Sequence, residues 1–279
     1  MSEASTSDHD PARAAPNGQP RWWGDYRLDA GDCRAWRIGP LQLLLQRDEA
    51  DWRVAYASSA EATDEIRIAE PGDPALLPGM SPERFSFRRA DGRLTLQARL
   101  ADRPVVVRPA DPLAIPPGEE VTLYVSSPVW VEVLVGRPLV SLAEIATHAP
   151  SDTWFGPSTY GGELCYAGRT LARRHYEDVQ VLAHRAVTPV EIQNRAEDLF
   201  RLERLKLPMP NLALFVAPDG RLFSDAVQLT RLSPHEVQVT RKRSPERGAQ
   251  AVKGLDRLAS PRLAEEPAGA LTRLTRWFE

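Results

Sequence analysis

Along much of this chain apolar residues fall on every second position, in short stretches closed by turn formers. Trp36 and Ile38 alternate with arginines, Leu41, Leu43 and Leu45 follow Gly39-Pro40, and Trp52, Val54 and Tyr56 alternate with Arg53 and Ala55. A period of two puts one set of side chains on one face and predicts half-buried β-strands. Phe85 and Phe87 lead into Asp91-Gly92, followed by Leu94 and Leu96. Asp-Gly between alternating segments predicts a hairpin, because both turn residues accept positive φ. The same device recurs at Asp219-Gly220, between Leu212-Leu214-Val216 and Leu222. Val105 to Val107, Val121 to Val125 after Pro116-Pro117-Gly118-Glu119, Trp130 to Val135, Leu139 to Leu142, Val187 to Ile192 and Leu199 to Leu207 continue the beat. Turn signals at short spacing predict an all-β protein built from antiparallel β-sandwich units, and the 25 prolines suit turns and edges.

Four segments are expected: a disordered tail over 1–20, an N-terminal β unit over 21–102, a β-sandwich domain over 103–243, and a flexible linker with a short amphipathic helix over 244–279. The helix rests on Leu271, Leu274, Trp277 and Phe278, which share one face.

Composition narrows the classes. With 279 residues, 42% hydrophobic and 26% charged, the chain has room for a real core. A net charge of −3 offers no surface that would track phosphates, so nucleic acid is not an expected partner. The most apolar region, 121–145, is broken by Pro128, Glu132, Arg137, Pro138 and Glu144, so no transmembrane segment is expected. Two cysteines, Cys33 and Cys165, and the absence of a leader-like stretch predict a soluble, bacterial-type cytoplasmic protein.

Candidate chemistry concentrates in Ser151 to Arg169. Trp154, Phe155, Tyr160 and Tyr166 stand among glycines, with Glu163 and Arg169 as polar contacts. Rings beside glycines build a stacking wall with close backbone approach, which suits a small ligand or a peptide. The alternative is that Trp154 and Phe155 plug the end of the sandwich. Gly156 and Gly161 have the spacing of a phosphate loop, but Gly162-Glu163 stand where lysine and a hydroxyl are needed. Glu163, Cys165, His175 and His184 lack the close pairs of a zinc site, and Ser158 with His148 or His184 and Asp152 lacks a nucleophile elbow. No metal, cofactor or catalytic residue is therefore expected. The basic residues Arg241-Lys242-Arg243 read as a solvated face.

Several strings carry a resemblance: Val121-Thr122-Leu123-Tyr124-Val125-Ser126, Ser151-Asp152-Thr153-Trp154-Phe155-Gly156-Pro157-Ser158-Thr159, Gly162-Glu163-Leu164-Cys165-Tyr166-Ala167 and His184-Arg185-Ala186-Val187-Thr188-Pro189-Val190. On these the chain resembles an uncharacterised prokaryotic family, a domain of unknown function. The resemblance implies no activity and carries over no catalytic residue. Family members lie beside mechanosensitive-channel genes in some genomes, which implies a membrane-protein partner. The leading expectation is a non-catalytic binding or accessory protein using the aromatic segment 151–169. The alternatives are an enzyme acting on a small polar or sugar-like molecule there, through Glu163, Asp152 and His184, and a cytosolic partner of a membrane protein through the C-terminal helix.

Overall fold

Strands account for most of the regular structure, and the helical turns among the described residues are four single 3-10 turns. The computed structural model describes residues 20–59, 63–76, 78–156, 161–234, 236–242 and 254–263. The expected tail up to residue 19 and the expected helix over 268–279 lie outside the described residues. The chain is all-β, as its alternation predicts.

It forms two compact units, the first from Met1–Gln97 and Val131–Ile145, the second from Ala98–Trp130 and Ala146–Glu279. Residues 131–145, inside the segment expected to form the second domain, thus belong to the first unit. In the first unit a five-stranded sheet runs in the order Ile66–Pro71, Cys33–Ile38, Leu41–Arg47, Asp51–Ser58, Glu83–Ser86. A four-stranded sheet runs Gly24–Arg27, Arg93–Arg99, Trp130–Val135, Val140–Ala146. Tyr26 of one sheet meets Trp36 of the other edge-to-face at 5.3 Å. Trp22, Trp36, Trp52, Leu41, Leu43, Leu45, Leu94 and Leu96 are buried.

The two Asp-Gly pairs behave differently. Asp219-Gly220 closes the hairpin between Leu214–Val216 and Leu222–Ser224, with Gly220 at φ +85°. Asp91-Gly92 joins strands of different sheets, and Gly92 has no positive φ. A Cβ on Gly92 would stand 2.5 Å from the Leu28 carbonyl oxygen, so this glycine answers to close backbone approach.

The second unit is organised around Arg185–Asn194, which is buried over most of its length. It pairs antiparallel with Glu120–Pro128 along one edge. Along the other it pairs in parallel with Leu222–Ser224 and then with Ala226–Ser233. Glu163–Ala167 also runs parallel to Val105–Val107, so the sheets of this unit are mixed where antiparallel ones were expected. Pro189 sits inside the central strand without disrupting it. It faces Tyr124, whose backbone N–H and carbonyl both turn away to Arg173, at 2.7 and 2.9 Å. On the other edge it falls in the gap between the residues paired with the two parallel strands. Neither neighbour asks Pro189 for an N–H. The segment expected to be a linker supplies a strand, Asp256–Ala259, paired with Leu214–Val216.

Candidate functional site

The segment from Asp152 to Ala167 has no clean hydrophobic period, yet it folds as a β-hairpin. Asp152–Phe155 pairs antiparallel with Glu163–Ala167, and the second strand continues the sheet through Val105–Val107 to Leu205–Leu207. Period two then separates its side chains. Phe155, Glu163 and Cys165 share one face; Trp154, Leu164 and Tyr166 share the other. Phe155 and Cys165 pack with Val106 in a small buried cluster. Glu163 forms an ion pair with Lys206, a buried lysine whose Nζ also lies 5.8 Å from the Phe155 ring centroid. Trp154 and Leu164 are paired and exposed, at 41% and 44%. The Trp154 indole lies close over Gly162, where a Cβ would meet its Nε1 at 2.6 Å. The close approach of ring and glycine is therefore internal to the hairpin. Tyr160 lies outside the described residues.

The end of the hairpin builds a recess. Ser126, Ser127 and Pro128 finish their strand; His148, Ala149, Pro150 and Ser151 lead into the hairpin; Tyr166 to Arg169 lead out of it. Together with Val105 and Trp130 they line a shallow, half-open hollow with a cavity volume of about 30 Å³. One wall is the Trp130 indole stacked on the Tyr166 ring, with centroids 5.6 Å apart and planes at 27°. The Tyr166 hydroxyl donates to Asp102 at 2.9 Å. Burial, then that bond to a carboxylate, pushes its pKa up to about 12, so Tyr166 stays a neutral phenol. The Arg103 guanidinium lies 5.2 Å from the same ring and pairs with Asp152 at 3.3 Å.

The floor is polar and incompletely satisfied. Buried Arg185 donates through Nε to the Ser126 hydroxyl oxygen at 2.9 Å and through Nη2 to the Ser126 carbonyl at 2.6 Å. The Ser126 hydroxyl donates in turn to the Gln180 carbonyl at 2.9 Å. Next to it, the buried Ser127 Oγ has no hydrogen-bond partner among the described residues, nor does His148 Nε2. His184 Nδ1, buried at the start of the central strand, is also without one. Burial and the charges of Arg169 and Arg185 push the His148 imidazole below its ordinary value. Burial, Arg185 and His148 push His184 down to about 4, so at neutral pH it carries no charge. A shielded polar atom without a partner costs about 1–3 kcal/mol. The indole nitrogens of Trp36 and Trp52 are also unpartnered, but they sit in the core of the first unit, whereas Ser127 and His148 line a recess.

Of the residues singled out in the sequence, Tyr166 and Arg169 come to the recess. Phe155 and Glu163 lie on the opposite face of the hairpin from Tyr166, and Trp154 is exposed on the face that Tyr166 shares. Ser127, Trp130 and His148 were not expected as a group. Their signal was a serine pair closing an apolar strand, Ser126-Ser127-Pro128, which brings hydroxyls to a buried strand end. Among the described residues no three of His, Cys, Asp and Glu gather closely enough to hold a metal ion. Ser158 lies outside the described residues. No helix among them is long and apolar enough to cross a membrane.

Fold and recess together define an all-β protein with a polar-floored, aromatic-walled hollow at the end of its central strand pair. The chain belongs to the family described as Protein of unknown function (DUF432), which matches residues 22–276. No curated protein and no solved structure gave a match.

Proposed function

We propose that this protein binds a small organic molecule in the recess between Trp130, Tyr166, His148 and Ser127, without transforming it. The observation that carries this reading is the pair of unpartnered polar atoms, Ser127 Oγ and His148 Nε2, beside a stacked aromatic wall. Ligand sites are mainly apolar hollows with a few convergent polar groups that fix orientation, and this recess has both parts. An enzyme using Glu163, Asp152 and His184 draws less support. Glu163 is paired with Lys206 and Asp152 with Arg103, so neither carboxylate is held ready for proton transfer. A membrane-protein partner reached through residues 268–279 concerns a segment outside the described residues. The free thiols of Cys33 and Cys165 fit a reducing compartment, and we place the protein in the cytoplasm.

A thermal-shift screen against a small-molecule library tests the reading. Ala149 is exposed and lines the recess, so Ala149→Trp fills its mouth while sparing the core. Library members that raise the wild-type Tm by about 2 °C or more should fail to do so in this variant. Equal shifts in both proteins would locate binding elsewhere, and no shift by any member would remove the reading.

A further inference from the structure

We infer that the molecule held in this recess carries an oxyanion, a carboxylate or phosphoryl group, seated by the Arg169 guanidinium, the Ser127 hydroxyl and His148 Nε2. The inference rests on the recess being a binding site and names the chemistry it selects.

Charge supplies the first argument. Among the described residues that line the hollow, Arg169 and His148 are basic and none is aspartate or glutamate. A third basic group, Arg185, stands behind the floor, fixed on Ser126. Three arginines of this unit are paired with carboxylates, Arg103 with Asp152, Arg221 with Asp219 and Arg231 with Asp198. Arg169 is exposed and has no ion pair among the described residues. The carboxylates nearest the aromatic wall are committed elsewhere, Asp102 to the Tyr166 hydroxyl and Asp152 to Arg103. An anion entering here would meet the positive charge of Arg169, with no carboxylate in the lining itself to oppose it.

Donor count supplies the second. Arg185 and the Gln180 carbonyl use up the Ser126 hydroxyl, which leaves Ser127 as the serine on that strand end with a hydroxyl to give. A neutral imidazole donates from Nε2 in one tautomer, and an oxyanion selects that tautomer. With the planar fork of Arg169 these put three donors among the residues that line one hollow, and such donors suit carboxylate and phosphate. The Trp130–Tyr166 stack provides an apolar wall beside it. The ligand class is therefore a small aromatic or apolar acid or phosphate monoester.

Calorimetric titration of the full chain with benzoate, phenyl phosphate and benzamide tests this. These probes share a ring, and only the first two carry an oxyanion. The wild type should bind at least one anion about tenfold more tightly than benzamide, the effect of a hydrogen bond to a charged group. Whichever anion is preferred separates carboxylate from phosphoryl. Arg169→Gln, a change at an exposed residue, should erase that preference. Ala149→Trp should abolish binding of all three. Benzamide bound as tightly as both anions would overturn the oxyanion while leaving the recess a binding site. An anion preference that survives in Arg169→Gln would overturn the seat assigned to Arg169. No binding by any probe at millimolar concentration would overturn the oxyanion and the recess together.

Discussion

His184 shows what one buried ring does to the molecule. It is 3% exposed, and burial, Arg185 and His148 push its imidazole down to about 4. In the unfolded chain it titrates near its ordinary value, about 6.5. Between those values the unfolded state binds a proton that the folded state refuses. Stability therefore falls as pH drops from about 6.5 towards 4, and above that window His184 adds no pH dependence. Over the whole window the loss is on the order of 3 kcal/mol. Urea denaturation of the wild type and of His184→Leu, at pH 7 and again at pH 4.5, isolates the group. The wild type should lose about 2 kcal/mol more than the variant between the two conditions. Equal losses would mean that water reaches the imidazole and that it titrates normally. His148 belongs to the same account, because Arg169 and Arg185 add to burial in holding its imidazole neutral. A bound anion would oppose that repulsion, and in this way the oxyanion seat bears on the titration of the floor.

The elements record which local signals survive folding. Both Asp-Gly pairs read as hairpin turns, and only Asp219-Gly220 is one, because its flanking strands pair with each other. Gly220→Ala should cost about 1 kcal/mol, the penalty for a side chain at positive φ. Gly92→Ala should cost more, about 2–3 kcal/mol, because its Cβ would press on the Leu28 carbonyl and strain the 2.9 Å bond from Leu28 N–H to the Gly92 carbonyl. Thermal unfolding of the two variants gives the order, and a reversed order would contradict the contact at Gly92. The strands around Trp36, Leu41, Leu43, Leu45, Trp52 and Val54 were legible because each buries one face and alternation follows directly. The hairpin over 152–167 was not, since Trp154 and Leu164 are exposed apolar residues and Glu163 pairs with a buried lysine, which erases the period. The central strand was legible at Val187 to Ile192 in spite of Pro189, whose tolerance was not, because the gap that admits it is made by residues distant in sequence. The recess was half legible. Tyr166 and Arg169 stand in the segment that drew attention, whereas Ser127, Trp130 and His148 reach it only through strand pairing.

At the scale of the whole molecule, chain order and spatial order part company. The sequence suggests a boundary near residue 102, but 131–145 packs with the first unit. A fragment of residues 20–102 would lose Trp130–Val135 and Val140–Ala146, and with them the buried Val131, Val133, Val135, Leu142 and Ile145. At about 1.5–3 kcal/mol for each large apolar side chain, with valine at the low end, that loss is comparable to the usual net stability of about 5–15 kcal/mol. It would also leave Arg93–Arg99 as an open edge. The geometry offers a repair. Gly136 N–H donates to the Arg93 carbonyl at 3.1 Å, so the end of Trp130–Val135 lies beside the start of Arg93–Arg99 and the pair is antiparallel. Gln97 and Val131 are then close enough for a short turn to join them. A chain of residues 20–97, an Asn-Gly turn and residues 131–146 should melt cooperatively and give a dispersed amide spectrum, while 20–102 should do neither. Cooperative melting of 20–102 by itself would show that 131–145 is a guest of the first unit and not part of its core. Failure of both fragments would show that the first unit draws its stability from the rest of the chain.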